Sequence, residues 1–467
     1  MSKKEHILII GAGLCGSLLA LRLAQRGYQV SLVEKRPDLR EVEQVAGRSI
    51  NLALSDRGLQ ALAMAGVDDK ARELCIPMKG RMIHPEEGEQ FLRPYSGRED
   101  EYINSISRPG LNMMLLNALD DYPQVKVYYN HLCDKVDLEQ GKAWFTHNET
   151  GELRSFEGDV LIGTDGAGSA VRRSMYEHKR FLFSFSQKWL THGYKELEIP
   201  PGPNGEFLID ENSLHIWPRG EDMLIALPNL DGSFTVTLFA PWEESEFCFD
   251  NLDSNEKVLE YFKRDFPDAL DLMPDLTEQF FTNPTSPLGT IKCCPWSSYG
   301  KTLLMGDAAH AIVPFYGQGM NASFEDVLIL DKVLDDTNED WSQVLRNYEK
   351  VRKVNTDAIA DLAVDNFQEM KEHTANPLFQ AKRKLEIRLE QEFPDQYSSK
   401  YSLVTFHEDL PYSEAMRRGR AQDKAILNLL HDGKLDPDGP LQDQLAIIIS
   451  ETNDILEDDA LIKNLSI

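Results

Sequence analysis

The chain is 467 residues long and sets 49 Lys+Arg against 77 Asp+Glu, a formal net charge of −28. That balance repels a phosphate backbone and an anionic membrane surface, and so points away from nucleic acid and lipid and towards a small soluble ligand. The length suffices for two or three domains around large, shared cores.

The first element is an apolar strand, "HILII" (6–10), followed at once by Gly11, Ala12 and Gly13 and then by the helical pattern "LCGSLLALRLAQRG", which Gly27 can close. "QVSLVE" is a second strand, so the chain opens as a right-handed βαβ unit with two parallel strands side by side. Around 81–108 and 205–245, segments such as "LHIWPR" and "DMLIALPNLDGSFTVTLF" alternate or run apolar between turn residues, and predict antiparallel sheet. "GDVLIGTDGAGSAVRRSM" and, near 301, "KTLLMGDAAHA" return to strand, turn and helix; from about 320 onward helical periodicity dominates, as in "ASFEDVLILDKVLDD". With no repeat and no low-complexity linker, the expected fold is α/β, with interleaved rather than strung-out domains and a helical C-terminal region.

Six cysteines (Cys15, Cys75, Cys133, Cys248, Cys293, Cys294) form no CxxC pair, and "MSKKEHILII" holds no signal-like apolar region, so a reducing, cytoplasmic compartment is expected. No apolar run approaches the roughly 18–20 residues of a membrane span; "LAIIIS" in the tail is the best.

"GAGLCG" supplies Gly11, Gly13 and Gly16 in GxGxxG register: a tight turn, a close approach of backbone to a pyrophosphate, and close packing of helix on strand. Glu34, ending the second strand, is placed for ribose hydroxyls and disfavours a 2′-phosphate by like charge. The motif alone does not choose between NAD and FAD. Asp165-Gly166 and Gly306-Asp307 each follow a strand, where a carboxylate can accept from a ribityl hydroxyl. No HxxxH or CxxC spacing and no Ser-His-Asp set occurs, so neither a metal site nor a catalytic side chain is nominated, and His310 reads as a core histidine.

With the N-terminal unit, these pairs resemble the flavoprotein aromatic hydroxylases, whose FAD-binding domain is of the glutathione-reductase Rossmann type. The resemblance implies that Pro314 to Gly319 wraps the isoalloxazine, that Phe315 and Tyr316 shape the pocket beside it, and that the helix starting near Met320 points its N-terminal N–H groups at the flavin. It divides the chain into an FAD-binding domain (1–75, 100–180, 285–335), an antiparallel-sheet substrate domain (76–99, 181–284) and a helical region (336–467).

"GRSINLALSDRG" (47–58), "IPMKGRMIH" (76–84), "ISRPGLN" (106–112), "LHIWPR" (214–219), "IALPN" (225–229) and "GDAAHAIVPFYGQGMNASFED" (306–326) are, together, similar to the kynurenine 3-monooxygenases. That resemblance implies bound FAD, NADPH and dioxygen as co-substrates, and hydroxylation of L-kynurenine at ring position 3 through a flavin hydroperoxide. It also implies a soluble form without the C-terminal anchor of eukaryotic members. By the same resemblance Arg81 and Tyr95 clamp the substrate carboxylate, and Asn366 and Tyr401 complete the substrate site. The FAD contacts are Gly11, Gly13, Cys15, Gly16, Val33, Glu34, Lys35, Arg36, Ala53, Arg108, Cys133, Asp307, Met320 and Asn321, with Arg48 in a structural or flavin-side role. Tyr316 stands where Phe is common, and Cys15 and Cys133 where aliphatic residues occur. A hydroxylase of another carboxylate-bearing aromatic (anthranilate or phenol type) and a non-catalytic dinucleotide-fold binding protein remain open alternatives.

Overall fold

The computed structural model describes residues 4–42, 51–178, 181–372 and 376–465. His6–Ile10 pairs in parallel with Gln29–Val33 on one side and Val160–Gly163 on the other; Val125–Tyr128 and Thr302–Leu304 continue the sheet outward. The short Ser297–Ser298 closes one edge antiparallel. The runs "HILII", "VLIG" and "TLL" are apolar without alternation, as suits parallel strands covered on both faces. The helix Leu14–Gln25, buried over most of its length, packs beside Arg108–Leu119 and Gly319–Asp336. It ends where predicted: Gly27 takes φ +85°, its N–H reaches Ala24 O and the Tyr28 N–H reaches Leu23 O, both bonds of a Schellman closure.

The second large sheet has seven strands in the order Thr285–Cys294, Ser184–Ile199, Phe234–Pro241, Asp222–Pro228, Ser213–Arg219, Gly80–Ile83 and Phe91–Pro94. Its pairs are antiparallel, as expected, with one correction: Gly80–Ile83 lies parallel to Ser213–Arg219. The stretch 81–108 is also divided, because Ile103–Ser107 joins Asn51–Leu54 and Cys75–Met78 in a separate three-stranded sheet. A further antiparallel meander, His131–Asp137, Lys142–His147 and Leu153–Glu157, lies outside the sequence reading.

The C-terminal third is helical, as predicted: Trp341–Glu372, Pro377–Glu392, Lys400–Thr405, Tyr412–His431 and Leu441–Leu465. The last of these elements bury a core of their own, including Leu385, Leu389, Ile426 and Leu445. Among the described residues no helix is long and apolar enough to cross a membrane.

Arg57 fastens this helical part to the rest. Its buried guanidinium pairs with Glu325 at 3.1 Å, donates to Val404 O (2.8 Å), His407 O (2.9 Å) and Leu410 O (2.6 Å), and lies 4.1 Å over the Tyr412 ring. Removing Arg57 leaves Glu325 with Arg352 as its remaining cation and takes the donor from three carbonyls in the helical part, together about 3–5 kcal/mol. Arg57→Ala is therefore expected to lower unfolding stability by about that amount, read from the denaturant midpoint; an unchanged midpoint would remove Arg57 from this role.

Candidate active site

The carboxyl ends of the parallel strands open onto a cavity of about 770 Å³, closed opposite by one face of the seven-stranded sheet. That is where a doubly wound sheet receives a ligand, because the chain turns away there and leaves backbone groups free.

The three motif glycines do three different things. At Gly11, φ is +106° and an added Cβ would sit 2.5 Å from Thr164 O, so a side chain is excluded twice. At Gly16 a Cβ would fall 1.9 Å from Gly11 O, which is the close packing of helix on strand. At Gly13 a Cβ would meet nothing within 4 Å, and Gly13 lines the cavity, so the open space there can take a ligand. Gly166 and Gly168, on the same wall, are open in the same way.

Glu34 is buried at the cavity edge, accepting from Ala12 N–H (2.8 Å) and pairing with Arg36 (2.8 Å). Asp165 uses one oxygen to cap the helix Ala170–Glu177, accepting from Ala170 N–H at 2.7 Å, while Oδ1 is buried without a partner. Burial pushes the Asp165 carboxyl up, against its bonds to Ser169 and to backbone N–H groups. Asp307 also faces the cavity, held there from behind: Asp326 Oδ2 accepts from Gly306 N–H (2.9 Å) and from His310 Nε2 (2.6 Å). His310 is thus a satisfied core histidine.

Among the predicted flavin contacts, Gly11, Gly13, Cys15, Val33, Glu34 and Lys35 line this cavity, as do Arg36, Ala53, Arg108, Cys133, Asp307 and Met320. Gly16 and Asn321 stand behind it. Asn321 spends its whole amide inside the protein, donating to Ala53 O (2.8 Å) and Gly317 O (2.9 Å) and accepting from Ser55 N–H (3.0 Å). Arg48 lies outside the described residues.

The far half of the cavity is apolar, with a cation at its wall. Leu214 and Ile216, Met223, Ile225 and Leu227, and Thr237 and Phe239 face it at every second strand position. These residues were not singled out from the sequence, although their alternation was the signal. Arg81 lines the same space, 4.6 Å over the Tyr401 ring and 5.2 Å over the Tyr95 ring. Tyr401 stacks between Tyr316 (5.5 Å, 15°) and Tyr95 (5.7 Å, 9°). The Tyr95 hydroxyl is buried without a partner, and burial pushes it well above its ordinary value. Of the four predicted substrate residues, Arg81 and Tyr401 line the cavity, Tyr95 stands behind them, and Asn366 donates to Phe315 O at 2.6 Å.

The family model described as "FAD binding domain" matches residues 4–186 and 288–363, the segments that build the glycine wall and the Gly-Asp turn. A kynurenine 3-monooxygenase of Myxococcus xanthus is 46% identical over 428 residues, covering 92% of this chain and 91% of that one. The chain belongs to the kynurenine 3-monooxygenase family. Members from Dictyostelium discoideum (46% identical, 92% of this chain and 94% of that one) and Anopheles gambiae (40%, 92% and 87%) are similar over the same extent. Among solved structures, 2-methyl-3-hydroxypyridine-5-carboxylic acid oxygenase superposes with a TM-score of 0.64 at 21% identity, covering 82% of this chain and 97% of that one, a likeness of fold. As a family member the chain is an FAD-dependent monooxygenase, and the open cradle at Gly13, the unpartnered Asp165 Oδ1 and the buried Glu34 fit that cofactor.

Gly13→Val tests the cradle. Its side chain enters open space in the apoprotein, so the apoprotein melting temperature should hold, while FAD retention should weaken by about 1–3 kcal/mol, the usual cost of overfilling a packed site. Normal FAD content after gel filtration would place the cofactor elsewhere.

Proposed function

We propose that this chain hydroxylates L-kynurenine at ring position 3, giving 3-hydroxykynurenine, with NADPH and dioxygen as co-substrates. The observation that carries the reading is Arg81, a guanidinium at the wall of a largely apolar chamber, set over the rings of Tyr401 and Tyr95 and, among the described residues, without an ion pair to a carboxylate. Such a cation binds a carboxylate bidentately, and it is useful only for a ring that carries one at a distance from the reacting carbon. Kynurenine, an aromatic amine with an α-amino-acid head, has that shape, and the curated relatives bear its name.

Bound FAD supplies hydride acceptance from NADPH and the activation of dioxygen for transfer of one oxygen atom to the ring. The protein's share is binding, orientation and exclusion of water. Arg81 holds the carboxylate end, with Tyr95 and Tyr401 keeping the guanidinium in place. The alternating face from Leu214 to Phe239 takes the ring and offers water no polar partner there apart from the Thr237 hydroxyl. The turn Pro314–Tyr316 and the first turn of Gly319–Asp336 line the cavity and would hold the flavin, and the positive end of that helix would favour negative charge on it. Asn366 acts through Phe315, fixing the carbonyl of that turn. In this reading the FAD-binding domain is 1–75, 100–180 and 285–335, the substrate sheet is 76–99 and 181–284, and the helices from 336 onward cover the substrate side.

Arg81→Ala should leave FAD bound and weaken kynurenine by about 2–5 kcal/mol, since it leaves the substrate carboxylate desolvated and unpaired. Arg81→Lys should recover part of this, an ammonium lacking the planar fork. The readout is KM with 3-hydroxykynurenine measured as product. An alanine variant with wild-type KM would exclude the carboxylate clamp and turn the reading to a different ring.

A further inference from the structure

The strand that carries Arg81 hangs near one end of the seven-stranded sheet. It pairs with Ser213–Arg219 from Gly80 opposite Ser213 to Ile83 opposite Ile216. The ladder is extended by Lys79 N–H to Asn212 O (2.8 Å) and His84 N–H to Ile216 O (2.9 Å). Strand alternation turns Arg81, Leu214 and Ile216 to the cavity and puts His84, His215 and Trp217 on the opposite face.

On that face the two imidazoles form a row. Asp268 Oδ2 lies 2.7 Å from His84 Nδ1, His84 Nε2 lies 2.8 Å from His215 Nδ1, and His215 Nε2 lies 2.8 Å from the backbone oxygen of Asp210. Trp217 donates its indole N–H to the same Asp268 oxygen at 2.9 Å and stacks on His84 at 3.9 Å and 24°. His84 and His215 are 2% and 1% exposed, too little for water to replace a missing partner.

Each of the three contacts needs one proton. The row ends on acceptors at both sides, a carboxylate and a carbonyl, so all three protons must come from the rings, and two neutral imidazoles hold only two. With two, either a buried end contact is lost or two ring lone pairs face each other across 2.8 Å. We propose that His84 and His215 hold three ring protons, one positive charge between them, and that this charge, set against Asp268, makes the pair a positioning device for the strand that carries Arg81.

The Asp268 carboxylate 2.7 Å from Nδ1 and the Trp217 ring face stacked at 3.9 Å both favour a cation at the His84 end of the row, while burial pushes His215 down to about 4. Burial works to raise Asp268, yet the bonds from His84 and Trp217 hold it below the ordinary carboxylate range. The other charged groups at the row are Arg219, whose Nη1 donates to His84 O at 2.9 Å, and Glu86 and Asp265 beside that guanidinium; Asp210 turns its own carboxylate to the Ser213 hydroxyl. The Asp268 side chain is 42% exposed, so the row exchanges protons with solvent at that end. As pH rises through titration of the pair, the third proton leaves, one contact opens and the strand loosens. Affinity for the substrate carboxylate then falls on the alkaline side, while the FAD cradle, on other elements, is untouched.

The positioning role rests on the reading of Arg81 above; the proton count does not. In holoenzyme labelled with nitrogen-15 at histidine, one ring should carry protons on both nitrogens near neutral pH, and that signal should be missing from His84→Gln. Two neutral rings in the wild type would overturn the proton count. Asp268→Asn keeps the shape and removes the charge. Because an opposite charge at this range shifts a histidine by about 1–3 pH units, the alkaline rise in KM for L-kynurenine should begin about 1–3 units lower in the variant, with FAD content and kcat unchanged. Identical pH profiles of KM in the two proteins would overturn the positioning role. If the wild type does not turn over kynurenine, the functional reading fails, and the histidine signal still decides the proton count.

Discussion

Much of the molecule depends on one buried carboxylate. Asp326 is fully enclosed, and burial alone would raise it, yet His310 and Arg352 hold it below the ordinary carboxylate range. Oδ2 serves Gly306 N–H and His310, and Oδ1 accepts from Arg352 Nε at 2.8 Å. The Gly-Asp turn, the helix Gly319–Asp336 and the long helix Trp341–Glu372 therefore meet at a single group. Arg352 also pairs with Glu325 at 2.7 Å, and Glu325 with Arg57, which grips the chain from Val404 to Leu410. A buried charge without its partner is costly, so each of these connections supports the next. The Gly-Asp turn and the C-terminal helices are thereby linked through a continuous chain of buried bonds.

This linkage explains how a cavity assembled from distant segments keeps its shape. The half at the ends of the parallel strands is set by backbone: glycines that allow close approach, and side chains such as Asn321 that fix Ala53 and Gly317 from behind. The apolar half is set by a sheet face, where every second residue points inward. One half needs conformations that only glycine adopts readily. The other needs only a pattern of apolar side chains.

What the sequence made legible follows the range of the interactions. The βαβ start, with Gly11, Gly13, Gly16, Gly27 and Glu34, was readable because each residue's role is settled within 34 positions. The C-terminal helices were readable from periodicity. The parallel pairing of Gly80–Ile83 was not, because its partner strand lies about 130 residues away and a four-residue strand carries no mark of its neighbour's direction. The meander at 131–157 was missed because its strands are half exposed and short of apolar alternation. Within the site, residue identity came by family resemblance, but the split between residues that face the cavity and those that brace it, Asn321, Asn366 and Tyr95, depends on long-range packing that no local pattern records.

The setting of Arg81 shows why bracing by aromatic rings suits such a site. An ion pair with a protein carboxylate would also hold a guanidinium still, but it would satisfy the charge and turn substrate binding into an exchange of partners. In a chain with 77 acidic residues against 49 basic ones, avoiding a carboxylate at this wall is a constraint in its own right. Tyrosine faces attract a cation through the ring quadrupole without neutralising it, and three stacked rings give a rigid wall with few rotatable bonds. The guanidinium then stays oriented and, in the function proposed above, available to the carboxylate of a substrate.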